Sequence, residues 1–414
     1  MPVRVRRETG ACMHVLAINC GSSTLKFRLL EVEANGAGNE RRVTGGIVKR
    51  IGGAAVLELE QGGAAAGESP IEAGDHAEAT AGVLAWLRGR RLLGAGGMDA
   101  VGHRVVHGGD RFREPTVIDD EVLAGIDAVS SLAPLHNRPA LAAIRAVGHE
   151  LGPSVPSVAT FDTAFHRTLP DRSGRYAIEA ELADRHRIRR YGFHGLAHRY
   201  MTERYAALAG RRVEDVTLVT LQLGNGCSAT AIARGRSVDT SMGFTPLEGL
   251  MMGTRSGDVD PSLAGFLAAR EGVAVAEAES WLNRRSGLLG VSGRSGDMRD
   301  LLDAERAGDE RAALAVDMYC YRVRKYVGAY LAALGGADAV VFGGGIGENA
   351  VTVRARACAQ MEWCGLTLDP RRNAAARGVE GAIHADGSSI EAHVVAVDEE
   401  LVIARDTAAC LLAG

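Results

Sequence analysis

The sequence predicts an α/β protein built from two related domains. Strand-like runs alternate with helical patterns along its 414 residues, and a chain of this length holds two or three domains. One hairpin design also occurs twice, roughly two hundred residues apart. An internal repeat of this kind indicates two domains of similar architecture that face one another.

The two hairpins share one pattern. In the first, residues 15–18 form an apolar strand, residues 19–23 form a polar turn of small residues, and Leu25, Phe27 and Leu29 alternate on the outgoing strand. In the second, alternating residues 218–223 precede a turn at 224–228, and the outgoing strand follows. Each pattern predicts a β-hairpin with a small-residue tip.

The other elements are predicted from periodicity and turn residues. We expect residues 1–12 to be a disordered arm and residues 52–82 to form edge strands and a loop. Strands are predicted over 101–106, 155–161 and 338–342, and helices over 121–131, 139–150 and 399–412. Apolar residues at helical spacing from Val316 to Leu334 predict a long amphipathic helix, and Glu348 and Asn349 open another helical pattern.

Composition excludes several classes of protein. The 47 Lys and Arg residues are balanced by 51 Asp and Glu residues, without the basic excess of a nucleic-acid-binding protein. The seven cysteines are odd in number and never form a C-x-x-C pair, so neither disulfides nor a zinc site are indicated. No apolar stretch of export-signal or membrane-span type occurs. We therefore expect a cytoplasmic protein that binds small molecules.

Three glycine-rich turns follow apolar strands, at residues 21–24, 224–226 and 343–347. Glycine lets backbone N–H groups surround an anion, and together the three turns predict a nucleotide cradle. Each one alone is also compatible with an ordinary turn. None matches a P-loop, and the third lacks the downstream acid of a dinucleotide fold.

Several charged residues lie where a ligand would be bound. Lys26 follows the first turn and is expected to reach a phosphate, the alternative being a solvated edge lysine. Asp162 closes an apolar strand, where α/β sheets place ligand groups, and it is a candidate for Mg²⁺ with Asn19 or Glu399; the alternative is a buried helix cap.

Two arginines and two histidines are further candidates. Arg104 and Arg255 lie in glycine-containing segments where a guanidinium can bind phosphate or carboxylate through two N–H groups. His136 and His194 are loop histidines for which structural hydrogen bonding is the alternative. The pair His103 and His107 falls in a strand-like or loop segment, so a zinc pair is rejected.

Two motifs resemble the signatures of the acetate kinase family. Residues 19–26, Asn-Cys-Gly-Ser-Ser-Thr-Leu-Lys, resemble its amino-terminal signature, and residues 191–195, 239–249 and 260–261 resemble its long central one. The resemblance runs from about Met13 to the last residues. It implies two RNase H-like (actin-like ATPase) domains with a central interdomain cleft, ATP and ADP as co-substrates, Mg²⁺ or alternatively Mn²⁺, and a homodimer. The implied reaction is reversible phosphoryl transfer between ATP and acetate, giving ADP and acetyl phosphate.

The resemblance also implies roles for individual residues. The transferred phosphoryl group would be surrounded by Arg104, Arg255, His136, His194 and Asp162, and Mg²⁺ by Asn19, Asp162 and Glu399. Nucleotide contacts would come from Thr24, Lys26, Gly224, Asn225, Gly226, Gly345, Ile346, Gly347 and Asn349, with Asp297, Met298 and Arg299 near the adenosine. The acetate methyl group would lie in a pocket of Val106, Leu135, Phe193 and Pro246. Residues 13–164 with about 400–414 would form one domain, and residues 165–399 a second that binds nucleotide and mediates dimerisation.

The chain departs from the family pattern at a few positions. Gln222 stands where a histidine commonly precedes Leu-Gly-Asn-Gly, and Gly343-Gly344 replaces a usual Thr-Ala. Glutamine can donate a hydrogen bond to phosphate but cannot be protonated. The alternative functions are a propionate or butyrate kinase on the same scaffold, a sugar kinase, and an actin-like ATP switch without metabolic activity.

Overall fold

The computed structural model describes residues 12–33, 40–61, 64–93 and 98–413. The chain divides into two compact units. The first unit extends to Ala164 and includes the chain from Asp398 onward, and the second comprises Phe165–Val397. The expected disordered arm lies outside the described residues except for Cys12, which begins the first strand.

The first unit is an eight-stranded sheet with helices. Its strand order is β5-β4-β3-β2-β1-β6-β8-β7. The strands are β1 Cys12–Cys20, β2 Thr24–Glu33, β3 Arg41–Lys49, β4 Val56–Gln61, β5 Ala64–Pro70, β6 Ala100–Val105, β7 Thr116–Val117 and β8 Ser157–Phe161. The helices are α1 His76–Gly89, α2 Asp120–Ala128, α3 Pro134–Leu151 and, from the last part of the chain, α15 Glu399–Ala413.

The second unit is a six-stranded sheet in the order β11-β10-β9-β12-β14-β13. Its strands are β9 Thr217–Leu223, β10 Cys227–Ala233, β11 Arg236–Thr240, β12 Ala339–Gly343, β13 Gly381–Ala382 and β14 Glu391–Val394. Its helices are α4 Asp171–Gly174, α5 Ala180–His186, α6 Gly195–Leu208, α7 Ser262–Glu271, α8 Val275–Arg284, α9 Gly287–Ser292, α10 Met298–Arg306, α11 Glu310–Leu334, α12 Gly344–Asn349, α13 Val351–Cys358 and α14 Pro370–Ala375.

The internal repeat is visible in the strand pairing, which follows the same order in both sheets. In the first unit, β1 pairs antiparallel with β2 and parallel with β6, and β6 pairs parallel with β8. In the second unit, β9 pairs antiparallel with β10 and parallel with β12, and β12 pairs parallel with β14. Both predicted hairpins are therefore confirmed, and each forms the middle of its own sheet.

The helix α15 packs on β1 and β6, so the end of the described chain completes the first unit. The contact is close because β6 presents Gly102 to the helix. A Cβ atom at Gly102 would collide with Thr407 Oγ1 and would lie 2.6 Å from Ile403 Cγ2. The absence of a side chain lets α15 bring Glu399, in its first turn, to the ends of these strands.

Three predicted elements were partly wrong. Residues 52–82 are not only strands and loop, because α1 begins at His76, where the Asp75 side chain accepts a hydrogen bond from Glu78 N. The helix α3 begins at Pro134 and contains Pro139, which the pattern had taken as its start. The glycine run after β12 is already helical from Gly344 rather than only a turn.

Two further findings concern membrane-spanning helices and disulfides. Among the described residues, no helix combines the length and apolarity that crossing a bilayer requires. All seven cysteines are free thiols.

The buried His103 in β6 gives a pH prediction. Its side chain is 1 % exposed, its Nε2 has no hydrogen-bond partner among the described residues, and burial lowers its pKa to about 3. Because the unfolded histidine keeps its ordinary pKa, the unfolded chain binds more protons, and stability is lost as pH falls from about 6.5 towards 3. Between pH 7 and pH 5 we expect this residue to cost about 2 kcal/mol of unfolding free energy.

The measurement is urea unfolding at both pH values. In His103→Leu the acid loss should shrink by that amount, whereas His149→Leu, at a histidine whose side chain is 87 % exposed, should leave it unchanged. An acid loss that is the same in His103→Leu and in the unsubstituted protein would contradict the prediction.

Candidate active site

In the first unit, Arg104 joins two of the residues singled out from the sequence. Its Nε and Nη2 lie 3.0 and 2.5 Å from the two carboxylate oxygens of Asp162, and its Nη1 donates to Asn19 Oδ1 at 2.9 Å. The Asp162 side chain is fully buried. Burial alone would lower the pKa of Arg104, but the charges of Asp162 and Glu399 hold it above its ordinary value. The guanidinium is thus a fixed cation that donates to Asp162 and Asn19 and lies 3.9 Å from Glu399 Oε2.

The same cluster contains an excess of carboxylates. The Asn19 amide nitrogen donates to Glu399 Oε2 at 2.8 Å and to Glu400 Oε1 at 3.0 Å. Arg28 contacts Asp398 at 2.5 Å and Glu400 at 3.6 Å. Burial raises the pKa of Glu399, helped by the neighbouring carboxylates and opposed by Arg104 and Lys26. Buried oxygen donors with incompletely compensated charge suit a hard divalent cation, so this donor set fits Mg²⁺.

The first hairpin turn lies next to this cluster. Lys26 is exposed on β2, directly opposite Asn19 in the strand register. Gly21 N donates to Thr24 O at 2.9 Å, and a Cβ atom at Gly21 would lie 2.6 Å from Thr24 Oγ1. His76, at the start of α1, holds the turn through a 2.8 Å contact between its Nε2 and Gly21 O. Gly21 therefore has no room for a side chain beside Thr24, and His76 of α1 fixes the position of the turn.

Three other predicted residues follow β6 or begin α3. Val106 is buried immediately after β6, and Leu135 and His136 lie in the first turn of α3. Asn137 fixes that turn, since its amide donates to His107 O at 3.0 Å and its Oδ1 accepts from His107 N at 3.0 Å. Two hydrogen bonds therefore fasten the part of α3 that carries His136 to the segment after β6.

In the second unit, His194 and Arg255 meet at the turn between β9 and β10. A Cβ atom at Gly226 would lie 3.3 Å from His194 Cε1 and 3.7 Å from Arg255 Nη1. Gly253 N donates to Asn225 O at 3.0 Å, which fastens the segment that carries Arg255 to the same turn. The second unit thus brings together His194, Arg255 and the turn at residues 224–226, all of which were predicted to bind ligand.

Arg255 is a half-buried cation without a carboxylate contact among the described residues. Its Nη1 donates to Pro246 O at 3.1 Å and lies 3.5 Å from Met252 Sδ. Burial lowers the pKa of Arg255, with a small opposing effect from Cys227. A guanidinium that is desolvated but not neutralised by an acid favours binding of an anion.

The imidazole of His194 is oriented by a chain of hydrogen bonds. His194 lies at the start of α6 in a left-handed backbone conformation, and its Nδ1 is 2.9 Å from Ser228 Oγ. Ser228 Oγ is also 2.7 Å from His198 Nε2, and His198 Nδ1 is 2.7 Å from Thr220 Oγ1. Burial lowers the pKa of His198 well below its ordinary value, so this ring is neutral and acts as a positioning residue.

The predicted apolar residues of this unit lie beside these groups. Phe193 is 1 % exposed, and its carbonyl oxygen is 3.0 Å from His166 Nε2. Pro246 is half-buried and contacts Arg255 through its carbonyl. The unit thus places one buried aromatic ring and one proline next to a histidine and an arginine.

The glycine run after β12 forms the first turns of α12. A Cβ atom at Gly344 would lie 2.6 Å from Leu223 O, and Gly344 has a φ of +75°. Gly345 is exposed with open space around it, whereas Ile346 is half-buried and Gly347 is buried. Asn349 donates to Gly345 O at 2.9 Å. The departure from the family pattern at Gly344 is therefore matched by a backbone that has no room for a side chain.

A fully buried arginine supports the end of α12. Arg354 Nη1 donates to Gly347 O at 2.7 Å and to Glu348 O at 2.9 Å, and its Nε donates to Asn373 Oδ1 at 2.8 Å. Burial lowers the pKa of Arg354 to about 10. Backbone carbonyls at the carboxyl end of a helix are natural partners for such a cation.

The residues expected near adenosine lie at the start of α10, where Asp297 is the N-cap and Met298 and Arg299 are the first helical residues. The Asp297 side chain accepts from Arg299 N at 2.8 Å and contacts Arg299 Nη2 at 2.6 Å. The Met298 side chain is 3 % exposed and belongs to the core.

Gln222, the other departure from the family pattern, has a buried Oε1 without a hydrogen-bond partner among the described residues.

Sequence reasoning missed several residues of these clusters. His198 was detectable, because it follows His194 by four residues at the start of a helix and therefore lies on the same face. Glu400 was detectable as the neighbour of Glu399. Ser228 carries no sequence signal, because its histidine partners come from a distant segment, and Arg354 carries none, because only packing shows that it is buried.

The repeated sheet order and the two charged clusters define a two-unit α/β protein of the phosphotransferase class. A model of the acetokinase family matches residues 14–405. The chain belongs to the acetokinase family.

Relatives and solved structures agree with this assignment. An acetate kinase of Solibacter usitatus is 48 % identical over 408 residues, which cover 97 % of this chain and 99 % of the relative. The crystal structure of Porphyromonas gingivalis acetate kinase matches with a TM-score of 0.87 at 41 % identity, covering 96 % of this chain and 100 % of that one. A propionate kinase structure from Francisella tularensis matches with a TM-score of 0.87 at 36 % identity, covering 95 % and 99 %. The predicted fold class, α/β with two RNase H-like (actin-like ATPase) domains, is confirmed.

The Arg104 cluster gives a stability prediction. Arg104→Met leaves the fully buried Asp162 carboxylate without its cation, and we expect a loss of about 3–5 kcal/mol in unfolding free energy. The double variant with Asp162→Asn should recover part of that loss, because the fully buried carboxylate charge at position 162 is then removed as well. Urea unfolding measures both.

Arg88→Met is the matched control in the same unit. It removes an ion pair to Glu150 in which the arginine side chain is 53 % exposed, so the expected loss is about 0–1 kcal/mol. Equal losses for Arg104→Met and Arg88→Met would contradict the structural role of the Arg104–Asp162 pair.

Proposed function

We propose that the protein is an acetate kinase that transfers a phosphoryl group reversibly between ATP and acetate, giving ADP and acetyl phosphate. The observation that carries the proposal is Arg255, a half-buried guanidinium that contacts no described carboxylate and lies with His194 at the Gly226 turn. Such a pair of groups suits a phosphoryl oxygen. The names of the relatives that match nearly the whole chain support acetate as the acceptor.

The chemistry requires no general base. A carboxylate acceptor is already ionised at neutral pH, unlike a sugar hydroxyl, so the protein needs only to position two anions and offset their charge. Phosphoryl transfer is catalysed mainly by in-line positioning and by cations near the equatorial oxygens. We assign the direct contacts with the phosphoryl group to Arg255 and His194, and a similar role to His136.

Arg104 has a different role in this proposal. It donates hydrogen bonds to Asp162 and Asn19, so it fixes these oxygen donors rather than acting alone. Asn19, Asp162 and Glu399 would hold Mg²⁺, with Mn²⁺ as an alternative ion. When bound, the ion supplies positive charge to phosphate oxygens. The nucleotide would be bound by Thr24, Lys26, the segment Gly224 to Gly226, the segment Gly345 to Gly347 with Asn349, and the segment Asp297 to Arg299.

Substrate size and assembly belong to the same proposal. The acetate methyl group would be accepted by Val106, Leu135, Phe193 and Pro246.

We propose a cytoplasmic homodimer that associates through the second unit, which also binds nucleotide. Exposed apolar side chains of that unit support this, among them Phe266, Tyr321 and Trp363, the last being 78 % exposed. Light scattering on the purified protein tests the dimer.

A propionate kinase is the second candidate, because the Francisella tularensis structure matches as well in TM-score. One methylene in an apolar pocket is worth about 1–3 kcal/mol, so preference need not be absolute. Values of kcat/KM for acetate, propionate and butyrate distinguish the acceptors. Hydroxamate trapping of the acyl phosphate distinguishes a kinase from an ATP switch, which would form none.

Arg255→Ala tests the role of the unneutralised cation. Loss of one such contact typically costs on the order of 3 kcal/mol, so kcat for acetyl phosphate formation should fall about a hundredfold. The hydroxamate assay measures it, and circular dichroism checks the fold. Arg284→Ala, at an exposed arginine of α8 in the same unit, should keep full activity. Near-normal turnover in Arg255→Ala would defeat the assignment.

Glu399→Gln tests the cation site. Replacing a half-buried carboxylate donor by a neutral amide should weaken Mn²⁺ binding at least tenfold, because charge on the oxygen donors dominates binding of hard cations. Electron paramagnetic resonance of free Mn²⁺ measures the affinity. Glu121→Gln, where the side chain is 80 % exposed on α2, is the control and should bind as before. Equal affinity in both variants would remove Glu399 from the site.

A further inference from the structure

Three side chains that the proposed reaction does not use share one face at the edge of the second sheet. β13 pairs antiparallel with β14 so that Ala382 lies opposite His393. The register continues beyond β13, since Ile383 N donates to Ala392 O at 2.8 Å, and this places His384 opposite Glu391. Because strand side chains alternate between faces, Glu391 and His393 point to the same side as His384.

The ligand-type atoms of this trio are close together. One atom from each of His384, Glu391 and His393 lies within 4.8 Å of the others. His393 Nε2 is 2.8 Å from Glu391 Oε2, and the two imidazole rings are 5.5 Å apart between centroids. Two imidazole nitrogens and a carboxylate oxygen are the donor set of zinc sites that keep a fourth position open.

A second, independent observation concerns His393 itself. Its Nδ1 is buried and has no hydrogen-bond partner among the described residues. A buried imidazole nitrogen without a partner is costly, and a ligand bound at that atom would offset the cost.

Neighbouring groups hold the trio in place. Tyr205 of α6 donates to Glu391 Oε2 at 3.2 Å, and its ring stands edge-on to His393 at 5.2 Å. Arg204, on the same helix, binds Glu380 at 2.7 Å immediately before β13. Hydrogen bonds from outside a ligand set orient metal ligands in this way.

We propose that His384, Glu391 and His393 form a binding site for Zn²⁺ or a similar first-row divalent ion, which fastens the edge strand β13 to β14. The nitrogen donors distinguish this site from the oxygen donors around Asn19, which suit Mg²⁺. A two-residue edge strand has few backbone hydrogen bonds, so a shared metal ligand set would add to its stability. The proposal does not depend on the acetate kinase assignment.

Isothermal titration of the chelator-treated, full-length protein with Zn²⁺, in excess Mg²⁺, tests the site. Magnesium occupies oxygen-donor sites without competing for imidazole, so we expect one Zn²⁺ per chain. The double variant His384→Gln/His393→Gln should lose at least tenfold in affinity. His149→Gln, at a histidine whose side chain is 87 % exposed, should bind as the unsubstituted protein does. Absence of Zn²⁺ binding, or equal binding by the double variant, would overturn the proposal.

Two further measurements exclude a simple folding defect. Co²⁺ bound in place of Zn²⁺ should show visible absorption of a nitrogen-liganded ion, and Glu391→Gln should change that spectrum while leaving metal-free thermal unfolding close to normal. Zn²⁺ should raise the Tm of the unsubstituted protein and not that of the double variant. Acetyl phosphate formation in the double variant should remain normal, which separates failure of this site from failure of the proposed reaction. A Zn²⁺-induced rise in Tm that survives in the double variant would place the ion elsewhere.

Discussion

Charge compensation around Arg104 is the constraint on which the first unit depends. The Asp162 side chain, directly after β8, has no exposed surface, and an isolated carboxylate there would cost several kcal/mol. Arg104, from the neighbouring strand, binds both of its oxygens and also Asn19 on the next strand. Asn19 then contacts Glu399 and Glu400 at the start of α15. One guanidinium on β6 therefore orders the side chain after β8, Asn19 on β1 and, through Asn19, the start of α15.

The second unit has the same strand order, but the charged group at its hairpin turn is a cation rather than a set of carboxylates. Its equivalent hairpin turn carries no carboxylate cluster but receives His194 and Arg255 against Gly226. The cation is stabilised by backbone carbonyl and thioether contacts, and the imidazole by the chain through Ser228 and His198. One repeated architecture thus carries a carboxylate-rich cluster in the first unit and, in the second, a guanidinium without a described carboxylate beside an imidazole.

Most residues of the candidate site could be proposed from the sequence because they lie in short contiguous motifs. Lys26 follows its turn by two residues, and Asp162 comes directly after an apolar strand, so local patterns identify them. The helical nature of the Gly344 run could not be read in this way, because glycines favour turns and only packing against Leu223 makes their use in a helix clear. The start of α1 was also missed, since the cap at Asp75 lies in a segment rich in glycine and alanine.

The sequence by itself determined the α/β class, the two hairpins and the family, because strand alternation, turn residues and long signatures are properties of neighbouring residues. Only the tertiary structure decided that Arg104 is committed to Asp162 while Arg255 is left without a described carboxylate. It also brought His384 opposite Glu391 across a sheet edge and joined His198 to His194 through Ser228. Burial and cross-strand register set these relations, and both arise only when segments far apart in the chain pack together.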